Sequence, residues 1–334
     1  MLRRLAEKII AADQILLSTH RQCDGDGLGS EVALYYALKK MKKKVRILNV
    51  DATAKKYQFL GPENIIENFE TSSSPLTPVD LVLIFDTNDQ RLLEPLYAQF
   101  QAQAKDIIFI DHHPILKEGP PPTHGSFIDT DAASTGEMTY KIIQALGVSL
   151  DEKIARGLYT SIAFDTQLFR FVRSSSQSHL IAAELLKYNI QPEDIHIKLF
   201  GNYSVQKMKF LAHALSQIEY FSNGQLAILK LHAKDLLQFG IDNEDSNDVV
   251  DLLMNIESLQ AAALLREEGS QKFKLSLRSK GHFEVLEIAE SLGGGGHLFS
   301  SGAYLTGSFD ALKTQVLNAL THSLLKLDKK NESA

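Results

Sequence analysis

The apolar run Ile15-Leu16-Leu17 leads directly into His20-Arg21-Gln22-Cys23-Asp24-Gly25-Asp26-Gly27-Leu28-Gly29-Ser30, and a helix-like segment, Glu31–Lys44, follows. Strand, glycine-rich polar turn and helix in that order predict the start of a βαβ unit. His20, Asp24 and Asp26 are then expected in the turn at the carboxyl end of the strand. Open α/β sheets bind their ligands along that edge. Two carboxylates two residues apart repel each other, and a divalent cation removes that cost. Alone, the stretch has a second reading as a polar loop with helix-capping aspartates, so its meaning depends on whether the pattern recurs.

It recurs. Leu81-Val82-Leu83-Ile84-Phe85 delivers Asp86, and Ile107-Ile108-Phe109-Ile110 delivers Asp111-His112-His113, each at an expected strand end. Ser161-Ile162-Ala163-Phe164 delivers Asp165 at an expected helix end. A single acidic strand end is usually a turn or a cap. Three in one sheet, each bearing Asp or His, converge on one edge of the fold.

The expected strands Ile15–His20, Val45–Val50, Leu81–Asp86 and Ile107–Asp111 alternate with helices at Glu31–Lys44 and Arg91–Ala104, which predicts a parallel sheet with helices on its faces. Ser72-Ser73-Ser74-Pro75 and Gly119-Pro120-Pro121-Pro122 punctuate it as loops. A helical block spans Thr135 to Tyr220, broken near Gly147, Ser174 and Pro192. A second α/β unit follows: strand Leu226–Leu231, helix Ser246–Asn255, strands Leu259–Arg266 and Lys272–Arg278, helix Phe283–Leu292, strand Ala303–Thr306 and helix Asp310–Leu325. Lys329–Ala334 reads as a disordered tail. The chain's 334 residues exceed one typical core, so the expected fold class is α/β with two domains. These are a parallel-sheet metal-binding domain at 1–190, a helical connector at 191–222 and a smaller mixed α/β domain at 223–326.

Hydrophobic residues make up 44% and charged residues 23%, as in soluble globular proteins, and no apolar run approaches the roughly 20 residues needed to span a bilayer. A net charge of −6 argues against stable duplex binding, which rests on many Lys/Arg–phosphate contacts. Small anionic substrates stay open, because a metal site supplies local positive charge. The single cysteine, Cys23, cannot form an internal disulfide, which favours the cytoplasm. Among hard ligands it reads as a packing residue. The basic run Lys39-Lys40-Met41-Lys42-Lys43-Lys44 reads as a solvated helix end.

His20, Asp24, Asp26, Asp86, His112 and Asp165 suffice for two adjacent divalent ions if one carboxylate bridges. Imidazole and carboxylate without thiolate suit manganese or iron, and magnesium less well; manganese is the expectation, with magnesium and cobalt as alternatives. Paired ions about 3.5–4 Å apart are the usual machinery of phosphoester hydrolysis. Asp111, next to His112, is expected to orient it. Four consecutive glycines, Gly293-Gly294-Gly295-Gly296, precede His297 and suit close backbone approach to an anion, or simply a flexible loop. Arg278 could pair bidentately with a phosphate, or be a surface ion pair. Ser134-Thr135-Gly136-Glu137 reads as an N-cap with Glu in the first turn.

His20-x3-Asp24-x-Asp26-x2-Gly29-Ser30, Asp86-Thr87-Asn88, Asp111-His112-His113 and Asp165-Thr166 resemble, in order, the four motifs of the DHH phosphoesterase superfamily. Arg278-Ser279, Gly293-Gly294-Gly295-Gly296-His297 and Ser301-Gly302 resemble the substrate-binding domain that accompanies one branch of it. Within it the chain is most similar to the NrnA-like group, which degrades very short RNAs and, in many members, 3′-phosphoadenosine 5′-phosphate. The resemblance implies one ion on His20, Asp24 and Asp86 and a second on Asp26, Asp86, His112 and Asp165, with Asp86 bridging. It implies Asp86, Asp111, His112 and His113 as catalytic, His113 touching the substrate phosphate. Arg278, Ser279, Gly294, Gly295, Gly296 and His297 would bind substrate. Cys23 stands where the family usually has proline, and Asn88 where alanine often follows threonine.

The implied activity is hydrolysis of short oligonucleotides to mononucleotides, by attack of a metal-bridged hydroxide on a terminal phosphodiester. The implied partner is a short oligonucleotide or nucleotide, without duplex or membrane; dimerisation stays open. Rival readings are a stand-alone cyclic-dinucleotide phosphodiesterase, a RecJ-type single-strand exonuclease and a catalytically inactive nucleotide-binding regulator.

Overall fold

Successive residues of the apolar runs face opposite sides of one sheet in the computed structural model. Ile15 and Leu17, Leu81 and Leu83, and Ile108 and Ile110 enter one hydrophobic cluster, while Leu16, Val82, Ile84 and Phe109 enter another. Both faces are covered, so these strands are continuously apolar rather than alternating. The structure describes residues 1–61, 65–71, 76–116, 119–173, 175–241 and 248–332, with side chains of the last helix to 327. The loop expected at Ser72–Pro75, the break at Ser174, the first two residues of the helix expected from Ser246 and the final two residues of the tail lie outside them.

The chain divides into two compact units, Met1–Asn202 and Tyr203–Ala334. The first runs α1 (Leu2–Ala11), β1 (Gln14–Thr19), α2 (Gly25–Lys40), β2 (Lys44–Asn49), β3 (Ile66–Asn68), β4 (Val79–Phe85), α3 (Leu96–Gln103), β5 (Ala104–Asp111), β6 (Phe127–Ile128), α4 (Thr135–Ala145), α5 (Glu152–Asp165), α6 (Gln177–Leu185) and α7 (Pro192–Phe200). Among the described residues its six strands are all parallel, in the order β3-β2-β1-β4-β5-β6. The order reverses direction between β1 and β4, and the crevice at their carboxyl ends is where such sheets bind ligands. Helices α1, α2, α4 and α5 cover one face, and α3 the other.

The second unit runs α8 (Val205–Leu215), β7 (Glu219–Phe221), β8 (Leu226–Leu231), α9 (Ala233–Phe239), α10 (Asp248–Leu253), β9 (Ala261–Gly269), β10 (Lys272–Ser279), α11 (Leu286–Ser291), β11 (Gly295–Gly296), β12 (Ser300–Thr306) and α12 (Phe309–Glu332). Its sheet has the order β11-β12-β10-β9-β8-β7, antiparallel except for β8 beside β9. Val316, Leu320 and Leu324 of α12 pack on one face, and Phe210 of α8 with Val250 of α10 on the other. Within segment 191–222, Ile195 and Leu199 of α7 join the first unit's core and Phe210 and Leu211 of α8 the second's.

Several boundaries differ from expectation. Helix α2 begins at Gly25, not Glu31, and ends at Lys40, where Lys42 turns left-handed at φ +60°. Asp26 therefore lies in the first turn of α2, not before it. Glycine's poor helix propensity hid this turn. Asp24 caps it, accepting from the Asp26 N–H at 2.9 Å. The helix expected at Arg91–Ala104 resolves into a 3-10 turn and α3 around Pro95, and the helical block yields at its end to strand β7. No glycine or proline stops α12 after Leu325, so it continues through the expected tail to Glu332. No described helix is long and apolar enough to cross a membrane.

Candidate metal centre

Because β1, β4 and β5 are neighbours and parallel, their carboxyl ends place His20, Asp86 and Asp111-His112-His113 along one edge. Asp86 stands at the centre. Its backbone is left-handed, φ +60°, an uncommon state for a residue other than glycine that aspartate tolerates better than most. One carboxylate oxygen lies 3.5 Å from His20 Nε2, and the other lies 3.6 Å from His112 Nε2. His112 Nε2 also lies 3.4 Å from Asp26 Oδ2 and 3.5 Å from Asp165 Oδ2. Ligand atoms of His20, Asp24 and Asp86 fall within 4.8 Å of one another, as do those of Asp26, His112 and Asp165.

The donor set fits a cation. Burial pushes His112 down to about 3, helped by the adjacent His113, so the ring is neutral among three carboxylates. Its Nδ1 faces the Ala132 carbonyl at 3.2 Å, which as N–H donor leaves the Nε2 lone pair toward the carboxylates. Burial, then mutual repulsion, holds Asp86 and Asp165 well above the usual carboxylate range. Asp26 is pushed up to about 7, chiefly by burial. Anionic oxygens this close, dry and repelling, are the arrangement a divalent ion relieves.

Asp26 is anchored by the start of α4 and by α5. The Thr135 and Gly136 N–H groups, at the start of α4, donate to it at 2.8 and 3.2 Å, and Ser161 Oγ donates as well. The Ser134 side chain caps that helix, as expected, by accepting from the Glu137 N–H at 3.3 Å. Ser161 precedes Asp165 by one helical turn, so both share a face of α5, and that spacing was the available signal. Glycines bring these helices together. A Cβ on Gly29 would meet the Gly157 carbonyl oxygen at 2.5 Å, and one on Gly157 would meet the Gly29 carbonyl oxygen at 2.7 Å. Helix α2, carrying Asp26, thus crosses α5, carrying Ser161 and Asp165, backbone to backbone.

The hydrogen bonds of Asp111 run to His113 and Asn88 rather than to the His112 ring it was expected to orient. It accepts from His113 Nδ1 at 2.8 Å and from Asn88 Nδ2 at 2.6 Å. Successive residues leaving a strand point to opposite sides, so Asp111 and His113 meet while His112 turns away. Burial opposes a charged His113, but Asp111 outweighs it and holds the imidazole above the usual histidine range. Asp111 is held below the carboxylate range: burial would raise it, and the charge and hydrogen bonds of His113 outweigh burial. Cys23 is buried in the hydrophobic cluster of the first unit.

In the second unit, Arg278 near the end of β10 donates through Nε to Asp251 at 2.6 Å and through Nη1 to the Leu277 carbonyl at 3.1 Å. The Ser279 N–H donates to the Phe299 carbonyl at 3.0 Å. Gly295 and Gly296 form β11 against Gly302 and Ser301, and the His297 N–H donates to the Ser300 carbonyl at 2.7 Å. The second half of the run is a strand rather than a loose loop. A Cβ on Gly294 would collide with the Gly302 carbonyl, so its bareness serves backbone-to-backbone packing.

Residues 14–162 match the DHH family, N-terminal domain, and residues 223–324 match the DHHA1 domain. Over 333 residues the chain is 31% identical to the bifunctional oligoribonuclease and PAP phosphatase NrnA of Thermus thermophilus, covering 97% of this chain and 95% of that one. The protein of the same name from Bacillus subtilis is 27% identical over 308 residues, 91% and 93% of the two chains. An exopolyphosphatase-related protein from Bacteroides fragilis has the same fold, with a TM-score of 0.87 at 23% identity over 97% of this chain and 96% of that one.

Proposed function

The chain belongs to the DHH family, and on that premise we propose that it is a two-metal phosphoesterase. Its substrates would be short oligonucleotides, cleaved to mononucleotides, and 3′-phosphoadenosine 5′-phosphate. One observation carries the reading: Asp86 turns one oxygen toward His20 and the other toward His112. A carboxylate so placed can bridge two ions. His20, Asp24 and Asp86 would hold one, and Asp26, Asp86, His112 and Asp165 the other. Manganese suits mixed imidazole and carboxylate donors. When bound, such ions activate water and stabilise the attacking and leaving oxygens.

The remaining work falls to the protein's own groups. The Thr135 and Gly136 N–H groups fix the angle of Asp26, and the Ala132 carbonyl fixes the tautomer of His112. His113, whose protonated form Asp111 favours, can donate toward a phosphoryl oxygen as negative charge builds there. We assign substrate binding in the second unit to Arg278, Ser279, Gly294, Gly295, Gly296 and His297. The names of the relatives from two organisms support the substrate class.

The test is a side-by-side Mn²⁺ hydrolysis assay on a 5′-labelled RNA dinucleotide, a long single strand, 3′-phosphoadenosine 5′-phosphate, a cyclic dinucleotide and pyrophosphate. The dinucleotide is expected to turn over much faster than the long strand. Faster turnover of the long strand, the cyclic dinucleotide or pyrophosphate would refute the substrate assignment. No turnover of any of them would favour the regulator.

A further inference from the structure

Beneath the donors a buried polar chain crosses the first unit's sheet. Glu31 lies within α2, 0% exposed, and its Oε1 accepts from Asn49 Nδ2 at 2.8 Å. Asn49, equally buried at the end of β2, accepts through Oδ1 from the Thr19 N–H at 3.1 Å. Thr19 ends β1, and its hydroxyl donates to the Phe85 carbonyl, at the end of β4, at 2.9 Å. The chain thus runs from α2 through β2 and β1 to β4.

It stops where the donors begin. His20 follows Thr19, and Asp86 follows Phe85. The β1–β2 pairing runs through Leu17 and Ile47, and two residues further on the Asn49 side chain serves the Thr19 N–H in place of a ladder carbonyl. The peptide between Phe85 and Asp86 is held from both sides. Thr19 donates to its carbonyl, and its N–H donates to the Ile110 carbonyl at 2.9 Å. The plane from which the left-handed Asp86 turns is therefore fixed. Space is tight as well, since a Cβ on Gly27 would collide with Thr19 Oγ1.

A carboxyl is a costly choice for the interior of a buried helix. Burial lifts Glu31 to about 8, so it is neutral at pH 7. Because Asn49 donates to Oε1, the proton belongs on Oε2, which has no hydrogen-bond partner among the described residues. An apolar side chain would avoid that cost, but it would leave the Asn49 amide nothing to donate to. An amide without that acceptor can turn its own N–H toward Thr19, and the link to β1 is lost. The acceptor is what Glu31 supplies.

We propose that Glu31 is a positioning residue: through Asn49 and Thr19 it holds the end of β1 against the end of β4, and so sets the spacing of His20 and Asp86 that one ion would span. The proposal rests on the two-metal phosphoesterase reading and deepens it, adding a relay that touches neither ion nor substrate.

The test measures Mn²⁺ affinity by titration calorimetry, Tm in chelator and hydrolysis of an RNA dinucleotide. It compares the wild type with Glu31→Leu, Glu31→Gln, Asn49→Leu and the Glu31→Leu/Asn49→Leu double variant. Glu31→Leu is expected to lower Mn²⁺ affinity about tenfold, the lower end of the loss for outer partners of metal ligands. Glu31→Gln, which keeps an acceptor for Asn49, is expected to recover most of it. The double variant should lose no more than Asn49→Leu alone, because both changes act through one amide. Unchanged Mn²⁺ affinity in Glu31→Leu, with or without a lower Tm, would overturn the proposal and leave Glu31 a packing residue. Additive losses in the double variant would overturn the relay. Should Glu31→Leu not fold, Thr19→Val decides, since it removes only the hydroxyl that holds Phe85: a lower Mn²⁺ affinity supports the relay and an unchanged one overturns it. A wild type that binds Mn²⁺ but leaves the dinucleotide intact counts against the phosphoesterase reading alone, and the affinities still decide Glu31. One that binds no Mn²⁺ overturns both.

Discussion

Gly29→Ala tests whether the α2–α5 crossing sets the metal centre. On propensity alone the substitution should help, because alanine in a helix interior is worth about 1 kcal/mol over glycine. The crossing opposes it. The new methyl would meet the Gly157 carbonyl oxygen at 2.5 Å, Ser161 N at 2.8 Å and Ser161 Cβ at 2.9 Å. Two of these are backbone atoms of a packed helix and cannot swing aside. Overpacking typically costs about 1–3 kcal/mol, and a backbone clash belongs near the top of that range. The net expectation is destabilisation by about 1–2 kcal/mol, or a Tm lower by about 2–8 °C for a unit of this size. The helices must part, and Ser161 and Asp165 then move relative to Asp26. Mn²⁺ affinity should fall about tenfold or more, beyond what the stability change accounts for. Scanning calorimetry in chelator gives the first quantity and isothermal titration with Mn²⁺ the second. Gly157→Ala strikes the same crossing from the other side, at 2.7 Å from the Gly29 carbonyl oxygen. The double variant should therefore lose less than the sum of the singles, since parted helices accommodate both methyls. A Gly29→Ala protein with an unchanged or higher Tm would refute the reasoning, because propensity would then outweigh packing.

Two further outcomes follow from the same site. Ser161→Ala removes the hydroxyl that donates to Asp26, and Mn²⁺ affinity by titration calorimetry is expected to fall about tenfold to a hundredfold; unchanged affinity would show that the Thr135 and Gly136 N–H groups suffice. Metal-free stability should decline as pH rises. Burial lifts Asp26 to about 7 and Glu31 to about 8 in the folded protein, so each contributes stability when protonated that is lost as pH rises from about 4 through these values. A Tm in chelator that rises between pH 5 and 8, or a Mn²⁺-bound Tm that falls as steeply as the metal-free one, would contradict this assignment.

The donors were legible because they follow apolar runs. Leu81–Phe85 is continuous only because helices cover both faces of β4, and the apolar run ends at Asp86, which is buried as well. What surrounds the donors was less legible, for reasons that differ by residue. The first turn of α2 hid behind glycines whose local preference is not helical, and the contact that Gly29 serves lies 128 residues away at Gly157. Asp111 was assigned to its sequence neighbour, although strand alternation hands it to His113. The left-handed turn at Gln167–Phe169 contains no glycine to announce it. Strands β3, β6, β7 and β11 are two or three residues long, too short for any periodicity.

Three departures share a direction. At helix α2 around Asp24 and Asp26, at the left-handed Asp86 and in the strained turn after Asp165, a local preference is overruled at or beside the donors. Chains fold when local and global preferences agree, and exceptions concentrate where function requires them. The exceptions here have a common effect, which is to fix carboxylates against one another before any ion arrives. A site so built should lose affinity when a supporting glycine or serine changes, even though every donor remains. That separates it from a flexible acidic cluster, in which only the loss of a donor would matter.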